Sequence, residues 1–273
     1  MQPFTLVIMF NLHVLIPSPC DLRIRLLSHL DQLTLCAGWQ EHLSLTDLSK
    51  DLECLSIKKL HITGPYIRTD VLAQCATPAS ISVLTHLSLR TTFSSESAFE
   101  IALKYGVNLQ SLRIQFCLNS PNSQHFRRYA HTLPGLTEFG IFLHSNTTDM
   151  DFFPAVCDFM RPKAAQLVHL ELMAPELKIE QDKLGFDGGK ECWALFKGVS
   201  HPKLESLSMT LPEGKKCFPL DYSRLIPKGV TRLTLSGYQL SDSAVKDTFR
   251  VVSPSIYMTR NSDAFLSYCT VTN

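Results

Sequence analysis

Ten histidines and nine cysteines give this 273-residue chain most of its potential for site chemistry, and their spacing decides what they can do. The cysteines stand at 20, 36, 54, 75, 117, 157, 192, 217 and 269, and no two are closer than 16 residues. A zinc knuckle or a dithiol redox motif needs paired thiols a few residues apart, so neither is expected. An odd, scattered set reads as buried thiols in a reducing compartment, because free Cys packs as a small hydrophobe. No histidine has a second one at helix-face spacing to make a metal site. No GxSxG, HExxH, P-loop or GxGxxG occurs. The stretch Gly185-Phe186-Asp187-Gly188-Gly189-Lys190 looks like a phosphate loop, but Glu191 stands where Ser or Thr should follow the lysine. It reads as a turn. The expectation is a protein that is not an enzyme and carries no catalytic residue, metal or cofactor.

Composition agrees with a binding role. Hydrophobic residues make up 45% of the chain and charged residues 19%, which is globular composition. The formal net charge of +1 gives no reason to expect a nucleic-acid partner. Residues 1–29 read as an N-terminal cap or signal-like segment, with an apolar run from Phe4 to Ile16. As a helix that run would span about 20 Å, short of the ~30 Å hydrocarbon core, so no membrane span is expected. Its length suits a signal-peptide h-region, yet no Lys or Arg precedes it and Pro17-Ser18-Pro19-Cys20 is a poor cleavage site. One glycosylation sequon, Asn146-Thr147-Thr148, is present. The expected location is cytoplasmic or nuclear, with secretion as the alternative.

The elements that would position any site come from internal repetition. The pattern apolar-x-x-apolar-x-apolar starts at Leu30, Leu52, Leu84, Leu109, Leu136, Leu167, Leu204 and Val230, and a decayed ninth copy is expected around Ile256 and Met258. Successive starts are 22, 32, 25, 27, 31, 37 and 26 residues apart. In a strand, alternate side chains face opposite sides, so the fourth and sixth residues of each hexad point the same way, into a core. The first apolar residue plugs the turn entering the strand. A parallel neighbour then requires a return connection of about a dozen residues or more, commonly helical. Return helices are expected from Ser94-Ser95-Glu96 to a cap at Gly106, around Phe126 to Leu133, and from Ser241 to Phe249, with shorter ones in 148–166 and 185–200. One copy cannot cover its apolar side alone, but a stack can.

The stretch Leu109 to Cys117 (LQSLRIQFC) matches the LxxLxLxxC/N consensus of leucine-rich repeats, and Val230 to Phe249 resembles their cytosolic cysteine-type form. The irregular spacing is similar to the repeat portion of fungal F-box/leucine-rich-repeat proteins. This resemblance implies an α/β leucine-rich-repeat solenoid, a curved parallel sheet with helices or loops on the convex side. It also implies substrate recognition for a ubiquitin ligase, with a cullin-ligase adaptor among the partners. The sequence departs from that family twice. Only Cys117 supplies the ninth-position Asn or Cys, and the 29 residues before Leu30 are fewer than an F-box needs. The expected division is the N-terminal segment, a solenoid over 30–258 and a tail over 259–273.

The third, fifth and seventh positions of each copy face away from the core, so a protein partner should dock there. Lys58, Arg90 and Arg113 are expected to form a basic patch, with His86 and Gln115 beside it. Phe142 and Met173, flanked by Glu138, His169 and Glu171, are expected to form an apolar and acidic patch, and Arg232 lies further along. Arginine and aromatic side chains dominate binding energy at protein interfaces, which singles out these positions.

Overall fold

The computed structural model describes residues 4–10, 30–37, 57–68, 78–93, 96–116, 123–143, 151–173, 195–196, 199–210, 226–236, 257–261 and 268–272. They divide into two compact units, one of residues 1–121 with 131–136 and one of residues 122–130 with 137–273. Each contains an open run of parallel strands, with short helices in some of the described connections, compatible with an α/β solenoid-like fold; the second unit also holds an antiparallel pair. The turn at Gly185, the sequon at Asn146 and the expected helix at Ser241–Phe249 lie outside the described residues.

In the first unit the strands are β1 (Phe4–Phe10), β2 (Leu30–Ala37), β3 (Lys59–Arg68), β4 (His86–Phe93) and β5 (Ser111–Phe116). Each pairs in parallel with the next, and Leu33, Leu60, Leu87 and Leu112 form one row across β2 to β5. Of the apolar N-terminal run, Phe4–Phe10 is a strand, with Leu6 beside Leu33 and Ile8 beside Leu35, and 11–16 lie outside the described residues. Helices α1 (Pro78–Ser82) and α2 (Glu96–Tyr105) occupy connections.

The second hexad differs from its expected position. Not Leu52–Ile57 but Ile57–Ile62 (IKKLHI) supplies β3, with Leu60 and Ile62 in register with Leu33 and Leu35. Ile57, Leu60 and Ile62 are all buried. Both stretches satisfy the apolar pattern, but the shift changes the uneven spacings 22 and 32 into 27 and 27. Equal spacing lets consecutive connections of equal length bridge equal strand separations, which the uneven pair would not.

The second unit holds β6 (Glu138–Leu143), β7 (His169–Met173), β8 (Ser206–Thr210) and β9 (Arg232–Ser236), again parallel, with Phe139, Leu170, Leu207 and Leu233 in one row. Helix α3 (Ser123–Arg128) is shorter than expected, and α4 (Phe152–Met160) continues into a 3-10 turn at Arg161–Lys163. The ninth copy expected near Ile256 and Met258 is not a parallel strand. Tyr257–Asn261 (β10) runs antiparallel to Tyr268–Thr272 (β11), which itself runs antiparallel to β9. Paired strands thus extend into the region expected as a tail.

The hexad logic is visible in the burial. First-position residues Leu30, Ile57, Leu84, Leu109, Leu136, Leu167 and Leu204 are buried, as are sixth-position Ile62, Leu89, Ile114, Ile141, Leu172 and Met209. Backbone bonds repeat with the pattern. The second-position carbonyl of one copy accepts from two successive N–H groups of the next, as Lys58 does from Thr85 and His86, and Thr85 from Gln110 and Ser111. Val168 does the same for Glu205 and Ser206. Before most strands the first-position N–H closes a turn onto a carbonyl three residues back: Leu84 to Ile81, Leu109 to Gly106, Leu136 to Leu133, Leu204 to His201. This turn satisfies the chain where it enters the sheet.

Gly106, the expected helix cap, follows α2 directly. The required property is space. A Cβ there would lie 2.5 Å from the Ala102 carbonyl oxygen and would also strike the Leu109 side chain. Leu133, by contrast, does take a positive φ, 56°, while fully buried.

Candidate binding face

Parallel register turns the alternating pattern into rows. In the first unit the third positions are Gln32, Lys59, His86 and Ser111, and the fifth are Thr34, His61, Ser88 and Arg113. The seventh are Cys36, Thr63, Arg90 and Gln115. These residues lie between the inward leucines, so their Cβ atoms project from the other face of the sheet. Lys59, His61, His86 and Arg113 are half-buried and Thr63 is exposed. Ser88 and Ser111 are nearly covered, at 8% and 5% exposure.

The shifted second hexad moves Lys58 off the seventh position. It occupies the second, in the turn before β3, where its carbonyl binds the next copy and its side chain is exposed. Lys59, His61 and Thr63 take the outward places that sequence reading had given to Cys54, Ser56 and Lys58. The missed signal was the spacing of 27, which the hexad at Ile57 satisfies on both sides. His86 is oriented locally. Thr85 Oγ1 donates to the Lys58 carbonyl at 3.1 Å and lies 2.9 Å from His86 Nδ1. The Thr85 hydroxyl thus links the imidazole to the preceding copy's backbone. Arg90 and Gln115 hold their expected register positions, and their side chains lie outside the described residues.

In the second unit the third positions are Glu138, His169, Ser206 and Arg232, and the fifth are Gly140, Glu171, Ser208 and Thr234. Phe142 pairs with Met173 at the seventh. The structure therefore brings Glu138, His169, Glu171 and Phe142 together on the neighbouring strands β6 and β7. His169 Nε2 lies 4.0 Å from Glu138 Oε1, both partly exposed. Gly140, buried and without a side chain, is the register partner of Glu171. Met173 is less open than expected at 7% exposure, so it forms the floor of this patch and presents little surface. Arg232 is exposed, two strands from His169.

Away from the strand face, two ionisable groups are buried in connections. Lys163 is 3% exposed, and its Nζ donates to the carbonyls of Ala130 at 2.7 Å and Phe159 at 2.9 Å. It also sits 3.9 Å from the Phe159 ring centroid. That ring belongs to a cluster: Phe126 meets Phe152 and Phe159 edge-on, each at 5.5 Å, and Phe139 lies 5.6 Å from Phe159. Desolvation lowers the Lys163 pKa to about 8. His201 is 3% exposed against Phe196, with ring centroids 4.9 Å apart. Burial lowers its pKa, partly offset by the nearby Leu195 backbone. Among the described residues neither ring nitrogen completes a hydrogen bond of normal geometry.

Among the described residues, no group of three His, Cys, Asp or Glu side chains could hold a metal ion. None of their helices is long and apolar enough to cross a membrane. No protein-family model and no curated protein matches the chain. The face is thus defined by its own geometry.

Proposed function

We propose that this chain is a leucine-rich-repeat scaffold that binds a protein partner across the open side of its parallel strands. The observation that carries this reading is the register. Outward residues of successive copies fall into continuous rows of polar, charged and aromatic side chains, while the inward rows are uniformly apolar. With strands about 4.8 Å apart, the five strands of the first unit alone give a face on the order of 20 Å wide. Arg113 in the first unit and Phe142 in the second are the residue types that anchor interfaces. On the family resemblance, the partner is a substrate presented to a cullin ligase. The buried free thiol of Cys157 fits a reducing cytoplasmic or nuclear setting.

Affinity capture with the full-length chain tests the proposal. Arg113→Ala and Phe142→Ala should each reduce recovery of a specific protein while leaving the thermal midpoint within a few degrees of wild type. A cullin adaptor in the eluate supports the ligase version. Undiminished recovery by both folded variants refutes the assignment of this face.

A further inference from the structure

The outward rows of the first unit contain no carboxylate. Across β1 to β5 the third, fifth and seventh positions are Thr5, Val7 and Met9; Gln32, Thr34 and Cys36; Lys59, His61 and Thr63; His86, Ser88 and Arg90; Ser111, Arg113 and Gln115. Lys59, Arg90 and Arg113 are basic residues, His61 and His86 are imidazoles, and the others carry no ionisable cation or carboxylate. The four hexads of β2 to β5 contain a single acid, Asp31, at a second position outside these rows, and Lys58 occupies the matching place in the next copy. A protein of net charge +1 has thus collected cations on one sheet face without interleaved acids. The second unit differs, since Glu138 and Glu171 stand in its rows.

We infer that the face formed by β3 to β5 binds an extended acidic peptide segment of the partner, with carboxylates at alternate positions. This deepens the scaffold reading and rests on it. Lys59 and Arg113 are two strands apart and one inward-outward step along, so their Cα atoms are separated by about 12 Å. Alternate residues of an extended chain advance ~7 Å on one side, so carboxylates four residues apart span a similar distance. Beside the Arg90 position, Thr63 places an exposed hydroxyl that can hydrogen-bond a carboxylate or the peptide backbone. A nucleic acid fits less well. Single strands are held by stacking on aromatic rings, and no ring other than the two imidazoles stands in these rows. The near-zero net charge also lacks the long-range field that phosphate binding uses.

The test is fluorescence anisotropy with the full chain and three labelled probes at low salt: a (Glu-Ser)6 peptide, the neutral (Gln-Ser)6 peptide and oligo-uridine of twelve nucleotides. The acidic peptide should bind tightest, and its affinity should fall as salt rises. The Lys59→Ser/Arg113→Ser double variant should bind it about tenfold more weakly, two half-buried charge contacts being lost. Lys228→Ser, in an exposed turn of the second unit, should leave binding unchanged. Thr63→Lys, which adds a cation to the same rows at an exposed site, should tighten binding about threefold. That variant keeps the inference testable if the double variant does not fold. Equal binding of the neutral peptide, no response to Thr63→Lys, or tighter binding of oligo-uridine would each overturn it. A natural partner captured through Phe142, with none of these responses, would leave the scaffold reading standing and remove this one.

Discussion

At the scale of single residues, two side-chain environments in this protein are costly and therefore informative. Lys163 takes a charge into the connection after α4, where two carbonyls and an aromatic face surround it. These contacts offset only part of the desolvation, since the pKa falls from 10.5 to about 8. The unfolded chain therefore binds the proton more tightly than the folded one. Stability linked to Lys163 is complete above about 10.5 and is lost as pH falls through about 8. Wild type should gain on the order of 3 kcal/mol relative to Lys163→Met between pH 7.5 and 10.5, read from urea midpoints. A difference that does not change with pH would show that the ammonium is better solvated than its packing implies. Gly106 is the second case. Gly106→Ala should cost about 1–3 kcal/mol, because the added carbon meets a backbone oxygen that cannot swing aside. Neither cost was legible in the sequence. Lys163 reads as an ordinary basic residue near a helix end, and Gly106 invites a capping explanation that any helix-terminal glycine would invite.

At the scale of elements, the strands were largely legible and the connections were not. Seven of the eight expected hexads supply strands where the apolar spacing placed them, because both the inward alternation and the plug residue are written in consecutive letters. The exception is β3. Leu52–Ile57 and Ile57–Ile62 overlap and satisfy the same pattern, and the even spacing to both neighbours, matched by register against Leu33 and Leu87, selects the later one. Local patterning cannot make that choice, since a whole-strand shift by an odd number of residues exchanges inward and outward faces. Helix α3 stops at Arg128 although apolar residues continue to Leu133, whose positive φ belongs to the turn into β6. The same turn three residues before a hexad holds Ile81 and Leu133 in other copies and His201 before β8. An imidazole in an aliphatic place loses solvation, so its pKa lies below the ordinary 6.5. Stability linked to His201 is complete above that value and declines as pH falls. His201→Leu should therefore keep its thermal midpoint between pH 7.5 and 5 better than wild type does. Parallel pH dependence of the two proteins would contradict the assignment.

At the scale of the whole molecule, the functional argument depends on rows that no single copy contains. Arg113, Phe142 and Glu171 are unremarkable in their own hexads. Register places Arg113 beside Ser88 and one step from Arg90, and places Phe142 beside the covered Met173. The sequence named ten of the outward residues used here or kept at their expected positions, and it misplaced Lys58 because the second copy was misread. Cross-strand neighbours were not legible at all until the copies were aligned through hydrogen bonds. Alignment also separated a basic set of outward rows in the first unit from a mixed set in the second, a contrast hidden by the net charge of +1. If the open face is the working surface, its substitutions should alter binding far more than stability, whereas inward substitutions should do the reverse. Leu60→Ala, at a 4% exposed position, should cost about 2–5 kcal/mol in chemical denaturation. The outward His61→Ala should stay within about 1 kcal/mol of wild type.

Disulfide trapping tests the strand register directly. Residues 61 and 88 are Cα partners across β3 and β4, so oxidation of the His61→Cys/Ser88→Cys variant should join them, as shown by peptide mass spectrometry. The alternative hexad at Leu52 puts Ser56 in the fifth position instead. A crosslink in Ser56→Cys/Ser88→Cys, with none between 61 and 88, would contradict the register and dissolve the cationic face built on it.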